Sequence, residues 1–165
     1  MEIIFWRKQP AFSAGFETSS TTTAFALYEL ALQPDIQNTL RKEIVEVLDK
    51  SGGKITYDLT MSLTYLDMVI SETLRMYPPL GYVNRMPNEA YKVPNSELVI
   101  EKDTAVYIPM LGLHYDPEYF PNPDKFDPER FNEENKRNRP ACVYFPFGEG
   151  PHNCIGTRLG LLQLR

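Results

Sequence analysis

Between Leu113 and about Gly156 the sequence sets Pro117, Pro121, Pro123, Pro128 and Pro140 among polar and aromatic residues. Proline removes a backbone donor and pushes the residue before it out of helical space, so this stretch is neither a long helix nor a central strand. The chain therefore reads as loop-like from Leu113 to about Gly156. The stretch ends in "FPFGEGPHNCIG", residues 145–156, where Cys154 and His152 sit in a glycine-rich bend. A cysteine used as a small core hydrophobe normally lies on a periodic helix or strand, and this segment has neither period.

The regular elements come mainly before it. Residues 14–32, "AGFETSSTTTAFALYELAL", read as a helix whose first half is dense in Ser and Thr. Pro34 suits the first turn of a second helix, with Ile36, Leu40, Ile44 and Val47 or Leu48 on one face and Gly52-Gly53 at its end. Leu63, Leu66, Ile70 and Leu74 step by three and four through a third helix that Pro78-Pro79 stops. Short strands are predicted at "YKV", "ELVI" and "AVYIPM" between residues 91 and 113, with "EKDT" turning between the last two. A final helix starts near Thr157 and is still apolar at Arg165. The pattern predicts a mainly α fold with small β-sheets.

Composition narrows the function classes. The 165 residues are 42% apolar and 24% charged, a globular balance, and the net charge of -5 offers no basic footprint for nucleic acid. No stretch approaches the ~20 apolar residues of a membrane-spanning helix. The opening "MEIIFWRKQP" is too short in apolar residues for a signal-peptide core. Cys142 and Cys154 make no disulfide framework, which points to a reducing compartment.

Several local patterns carry candidate chemistry. In Phe147-x-x-Gly150-x-x-x-Cys154-x-Gly156 the glycines permit positive φ and let backbone approach a flat partner. Such a bend can also aim amide N–H groups at the sulfur and favour the thiolate, the form that binds metal. The alternative is a buried free cysteine. Cys154 and His152 as nucleophile and base have poor geometry within one loop. A zinc site from His114, Cys142, His152 and Cys154 lacks the usual ligand spacing. In "SETLR", Glu72 and Arg75 can pair across one helical turn, and the plain reading is an exposed ion pair. Arg130 in "PERF" offers a fork for a carboxylate and backbone carbonyls, or is a simple loop arginine. In "AGFET", a Thr18 hydroxyl bonded to the preceding turn would open the helix, so that Glu17 and Thr18 hold water and pass protons. The alternative is a Ser/Thr-rich helix start.

In this order, the A-G-x-E-T helix, E-x-x-R helix, P-E-R-F loop and F-x-x-G-x-x-x-C-x-G loop resemble the cytochrome P450 family over roughly Ala11 to Arg165. "GLHYDPEYFPNPDKFDPERF" and "PFGEGPHNCIG" look like its microsomal, insect-type detoxification members. The resemblance implies residues 1–10 as an atypical leader and 11–165 as a partial catalytic domain. That domain would be the C-terminal part of the fold, from the oxygen-side helix through the haem-ligand loop to the start of the last helix. It implies Cys154 as the thiolate on the iron of haem b. Phe147 would shield the sulfur, Gly150 and Gly156 would shape the cofactor loop, and Arg85 would reach a haem propionate. Glu72, Arg75 and Arg130 would form a buried network. Ala14, Gly15, Glu17 and Thr18 would line the oxygen side, Thr18 aiding proton delivery. His152 stands where the family usually has a propionate-binding arginine, and Leu159-Gly160 replaces a more usual Phe-Ala.

The implied activity is NADPH- and O₂-dependent hydroxylation of lipophilic substrates, with electrons from NADPH-cytochrome P450 reductase. The implied location is the cytoplasmic face of the endoplasmic reticulum membrane, through an anchor absent from this chain. Most of the family fold is missing, so the sequence reads as a C-terminal fragment. The competing readings are a truncated, non-enzymatic product that binds no haem and a zinc-binding interaction module.

Overall fold

The structure, a computed structural model, describes the backbone of residues 2–165 and the side chains of residues 14–165. Helix α1 spans Glu2–Leu32, beginning upstream of the expected start at Ala14. The side chains of the expected leader, residues 1–10, lie outside the described residues. The α1 hydroxyls bond back along the helix: Thr18 Oγ1 donates to Ala14 O at 2.6 Å, Ser19 Oγ to Gly15 O at 2.7 Å and Thr22 Oγ1 to Thr18 O at 2.9 Å. The helix nonetheless continues unbroken, so the opened turn expected at "AGFET" does not form. A carbonyl oxygen has two lone pairs, and here the hydroxyl adds a second bond without displacing the ladder.

Helix α2, Pro34–Lys50, starts on its proline, and the chain leaves it through Gly52 and Gly53 at φ of 66° and 78°. Glycine, with no Cβ, takes such angles at no steric cost. A short α3, Tyr57–Met61, was not expected; Thr56 caps it by accepting from Leu59 N at 3.2 Å. Helix α4, Thr64–Met76, has its N-terminus capped from α2, where Glu43 accepts from Tyr65 N at 2.8 Å and Leu66 N at 3.0 Å. The core forms where these two helices meet the irregular segment: Leu40, Val69, Met76 and Phe126 are buried together, with Ile36, Ile44 and Leu66 packed against them. The apolar face expected on α2 is the one used.

The three expected strands form, and a fourth at Val83–Arg85 was not expected. Four short strands, β1 (Val83–Arg85), β2 (Tyr91–Lys92), β3 (Val99–Ile100) and β4 (Val106–Ile108), form two antiparallel pairs. β2 pairs with β3, while β4 pairs with β1, placing Val83 opposite Ile108. The "EKDT" turn does form, with Thr104 N donating to Glu101 O at 3.2 Å. Asp103 N, however, donates to Pro87 O at 2.9 Å, which ties the turn to the segment after β1 and not to β3. The remaining elements are α5 (Met110–His114), a 3-10 turn (Pro128–Phe131), α6 (Glu133–Asn138) and α7 (Thr157–Leu164), with proline-rich irregular backbone between them.

The helices leave apolar surface uncovered. Phe16, Leu27 and Leu32 on α1 are 66%, 63% and 60% exposed, and Leu159 on α7 is 60% exposed. Helices in proteins take most of their stability from packing such faces. The isolated 165-residue chain is therefore expected to bind a hydrophobic dye and to melt without a cooperative transition. A sharp two-state melt without dye binding would overturn this. Among the described residues no helix is long and apolar enough to cross a membrane.

Candidate functional site

Two sites emerge, a buried charge network and a cleft. Glu72 and Arg75 are both fully buried, so the exposed ion pair offered by sequence spacing does not occur. Arg75 Nε donates to Glu72 Oε2 at 2.7 Å and Nη2 to Oε1 at 2.9 Å, a forked pair. The other Arg75 donations reach His114 O at 2.9 Å, Pro123 O at 2.7 Å and, more weakly, Lys125 O at 3.5 Å. Glu72 Oε1 also accepts from Asp127 N at 2.9 Å and lies 3.4 Å from Arg130 Nε. Arg130 Nη2 donates to Asn122 O at 2.8 Å. One helical pair thus gathers the end of α5 and the proline-rich backbone, which has no ladder of its own to satisfy its carbonyls. Burial pushes the Glu72 carboxyl up, opposed by hydrogen bonding and charge from Arg75.

Arg139, which sequence reasoning missed, extends this network. Its Nη2 donates to Arg130 O at 2.6 Å, and its guanidinium lies over Phe131 at 4.4 Å and Phe120 at 4.9 Å. No local spacing marks it, because its aromatic partners come from separate segments. His114 is fully buried, with Nδ1 3.2 Å from Arg75 O, and burial lowers its pKa to about 4. The four-ligand zinc site does not form: among the described residues no group of three or more His, Cys, Asp and Glu is placed to hold a metal ion.

The cleft, about 750 Å³, lies between α1, residues 79–85, residues 146–154 and α7. Thr18 and Thr22 from α1, Arg85 from β1, and Phe147, His152 and Cys154 from the glycine-rich bend line it. The bend is built as its composition requires, with Gly148 and Gly150 at φ of 76° and 80°. Gly148 N donates to Phe145 O and Cys154 N to Phe147 O, both at 2.8 Å. Cys154 is exposed, which removes the reading of a buried free thiol. The loop amides serve the loop's own carbonyls, and among the described residues no N–H donates to Cys154 Sγ. Arg85 Nη2 donates to Glu149 O at 3.2 Å, fastening β1 to the same bend. A Cβ on Gly160 would sit 3.8 Å from the Phe147 ring, an ordinary contact, so α7 packs close to that ring.

The structure therefore brings Thr18, Arg85, Phe147, His152 and Cys154 to one cavity. Glu17 is exposed on α1 and does not line it. Gly150 and Gly156 do not line it either; Gly150 shapes the loop, and a Cβ on Gly156 would come 3.7 Å from Cys154 Sγ. Glu72, Arg75 and Arg130 stand apart from the cleft. Chemically, the arrangement offers one accessible soft donor on the wall of a largely apolar cavity, with hydroxyls on α1 and one guanidinium.

A family model described as Cytochrome P450 matches residues 10–165. Cytochrome P450 6k1 of Blattella germanica is 58% identical over 159 residues, covering 95% of this chain and 30% of the relative. Probable cytochrome P450 6a13 of Drosophila melanogaster is 50% identical over 154 residues, 93% of this chain and 31% of the relative. Cytochrome P450 9e2 of Blattella germanica is 48% identical over 153 residues, 92% of this chain and 29% of the relative. The chain thus spans 30% of the length of the first of these relatives. With nearly all of its residues matched, and with Cys154 exposed in its glycine bend and the Glu72–Arg75 pair buried, the chain belongs to the cytochrome P450 family.

Proposed function

We propose that this chain is the haem-binding portion of a monooxygenase, with Cys154 as the thiolate ligand of a haem b in the cleft. The observation that carries the reading is the convergence of Thr18, Arg85, Phe147 and Cys154, distant in sequence, on one cavity. The residues present fit the group. A volume of about 750 Å³ is ample for a ligand, and Leu74, Leu80, Val83, Met110 and Leu164 supply apolar walls for a flat macrocycle. Cys154 offers the soft donor, and Arg85 offers a fork to a carboxylate. His152, also at the cleft, would add a second contact to a propionate.

When bound, the haem would supply the activation of O₂ by two electrons from NADPH, one oxygen atom entering a lipophilic substrate and the other leaving as water. NADPH-cytochrome P450 reductase would deliver the electrons, on the cytoplasmic face of the endoplasmic reticulum membrane. The chain's own residues have simpler tasks. Cys154 would donate electron density, and Phe147 would keep water from the sulfur. Thr18 donates its proton to Ala14 O, so its remaining lone pairs are free to accept from a water in the cleft. It would hold that water and pass its proton inward.

The test uses a full-length chain in which residues 10–165 replace the matching part of cytochrome P450 6k1. One haem per chain, with the red-shifted reduced carbon monoxide band of thiolate ligation, is expected, and a chain that folds without haem would sink the reading. In that chain Thr18→Ala should leave haem content unchanged while peroxide released per NADPH rises several-fold. An unchanged ratio would count against the role of Thr18. The uncovered apolar faces of α1 and α7 favour a second reading for the isolated chain alone, a product that folds incompletely and binds no haem.

A further inference from the structure

We infer that His114, in its neutral form, is a positioning residue for the Cys154 loop, which it holds through Phe145. That Cys154 is a ligand rests on the reading above; that His114 holds its loop does not. His114 and Arg75 clasp each other in both directions. The imidazole Nδ1 is 3.2 Å from Arg75 O, and Arg75 Nη1 donates to His114 O at 2.9 Å. The rest of the ring is walled by aromatics, with centroids at 5.2 Å to Tyr144, 6.1 Å to Phe145 and 6.2 Å to Phe120. Its Nε2 is buried with no hydrogen-bond partner.

A ring held this way has one form that fits. With Nδ1–H donating to Arg75 O, Nε2 is the bare acceptor and can lie against apolar walls at modest cost. Protonation would set a second N–H, and a charge, where nothing receives them. The facing groups do not invite that charge. Arg75 on α4 and Arg139 ahead of the loop repel it, and Tyr144 donates to Ser71 O. Glu72, the one nearby acid, is committed to Arg75, Asp127 N and Arg130.

Phe145 links this cage to the thiol. Its carbonyl accepts from Gly148 N at 2.8 Å, opening the turn that carries Phe147, whose own carbonyl accepts from Cys154 N at 2.8 Å. Packing is two-state, so a ring expelled from the cage takes the Phe145 platform and both turn bonds with it.

The pH window follows from the burial of the ring. An exposed imidazole titrates near ~6.5, and in the cage burial lowers the value to about 4. A depressed histidine pKa means that the closed state is fully favoured above the open-state value and is lost as pH falls through the window between the two. Linkage over that interval favours the open state roughly 20-fold more at pH 5 than at pH 7.

The experiment is hydrogen exchange of residues 145–154 at pH 7 and pH 5, corrected for intrinsic rates, on the full-length chain with and without haem. Protection should fall about 20-fold between the two in the parent chain. His114→Gln, which keeps an N–H for Arg75 O and cannot titrate, should change by less than about 3-fold and should keep the thiolate band at pH 5. Equal losses of protection in parent and variant would overturn the assignment. If His114→Gln fails to fold, Phe145→Leu takes its place: the acid response should persist at 75 and 114 and vanish from 145–154. A loop that still responds would refute the link. Absence of a thiolate band in the parent at pH 7 would count against the haem reading alone, because exchange in the haem-free chain still decides the role of His114.

Discussion

Replacing Cys154 with serine in the full-length chain should abolish the thiolate-type carbon monoxide band, while Cys142→Ser should leave it at full strength. Both cysteines are exposed, so accessibility does not separate them. Position does. Cys154 lines the cleft between Phe147 and α7, and Cys142 does not. Serine keeps the shape of the bend, whose bonds use the backbone of residue 154, but replaces a soft sulfur donor with a hard hydroxyl oxygen. The loop should therefore still form and the spectral signature should still vanish. Loss of the band in Cys142→Ser with retention in Cys154→Ser would overturn the assignment.

Glu72→Ala should be the most damaging single change to the fold. It strands a fully buried guanidinium, since Arg75 loses both arms of its forked partner and Asp127 N loses its acceptor. Breaking a buried pair on one side costs about 3–5 kcal/mol, against a total stability of roughly 5–15 kcal/mol for an ordinary domain. Arg75→Lys should also be poorly tolerated, because a single ammonium cannot reproduce a fork that also reaches His114 O and Pro123 O. The double change Glu72→Gln with Arg75→Met should cost less than the sum of the single losses, because the fully buried Arg75 charge leaves together with its partner and only Arg130, still bonded to Asn122 O, loses its acid. Urea midpoints of the full-length chain measure all three. A Glu72→Ala midpoint within about 1 kcal/mol of the parent would refute the network's role.

Helices α2 and α4 were legible because their signals are local, while α3 was not foreseen and α6 falls in the stretch read as loop. Pro34 opens α2, Gly52 and Gly53 close it, and the three-and-four step from Leu63 to Leu74 traces α4. The strand pairing was not. β4 pairs with β1, and Asp103 N bonds Pro87 O on the same side, between residues with no mark of association in the sequence. The "AGFET" turn failed differently: the hydroxyl bonds formed as expected, but the helix had spare acceptor capacity and stayed closed.

The candidate site divides along the same line. Glycines at 148, 150 and 156 around a thiol, an acid and an arginine three apart, and prolines that forbid a ladder from 117 to 140 are properties of short stretches, and they determined which residues could do chemistry here. Whether they do was decided in three dimensions. The Glu72–Arg75 spacing is the same in an exposed pair as in a buried one, and only the carbonyls of His114 and Pro123 closing over it make it a clamp. Arg139 and His114 carry no pattern at all, because a cage of Phe120, Phe131, Tyr144 and Phe145 exists only once distant segments meet. Burial belongs to a residue's surroundings, and burial sets the strength of a charge pair and the proton affinity of an imidazole.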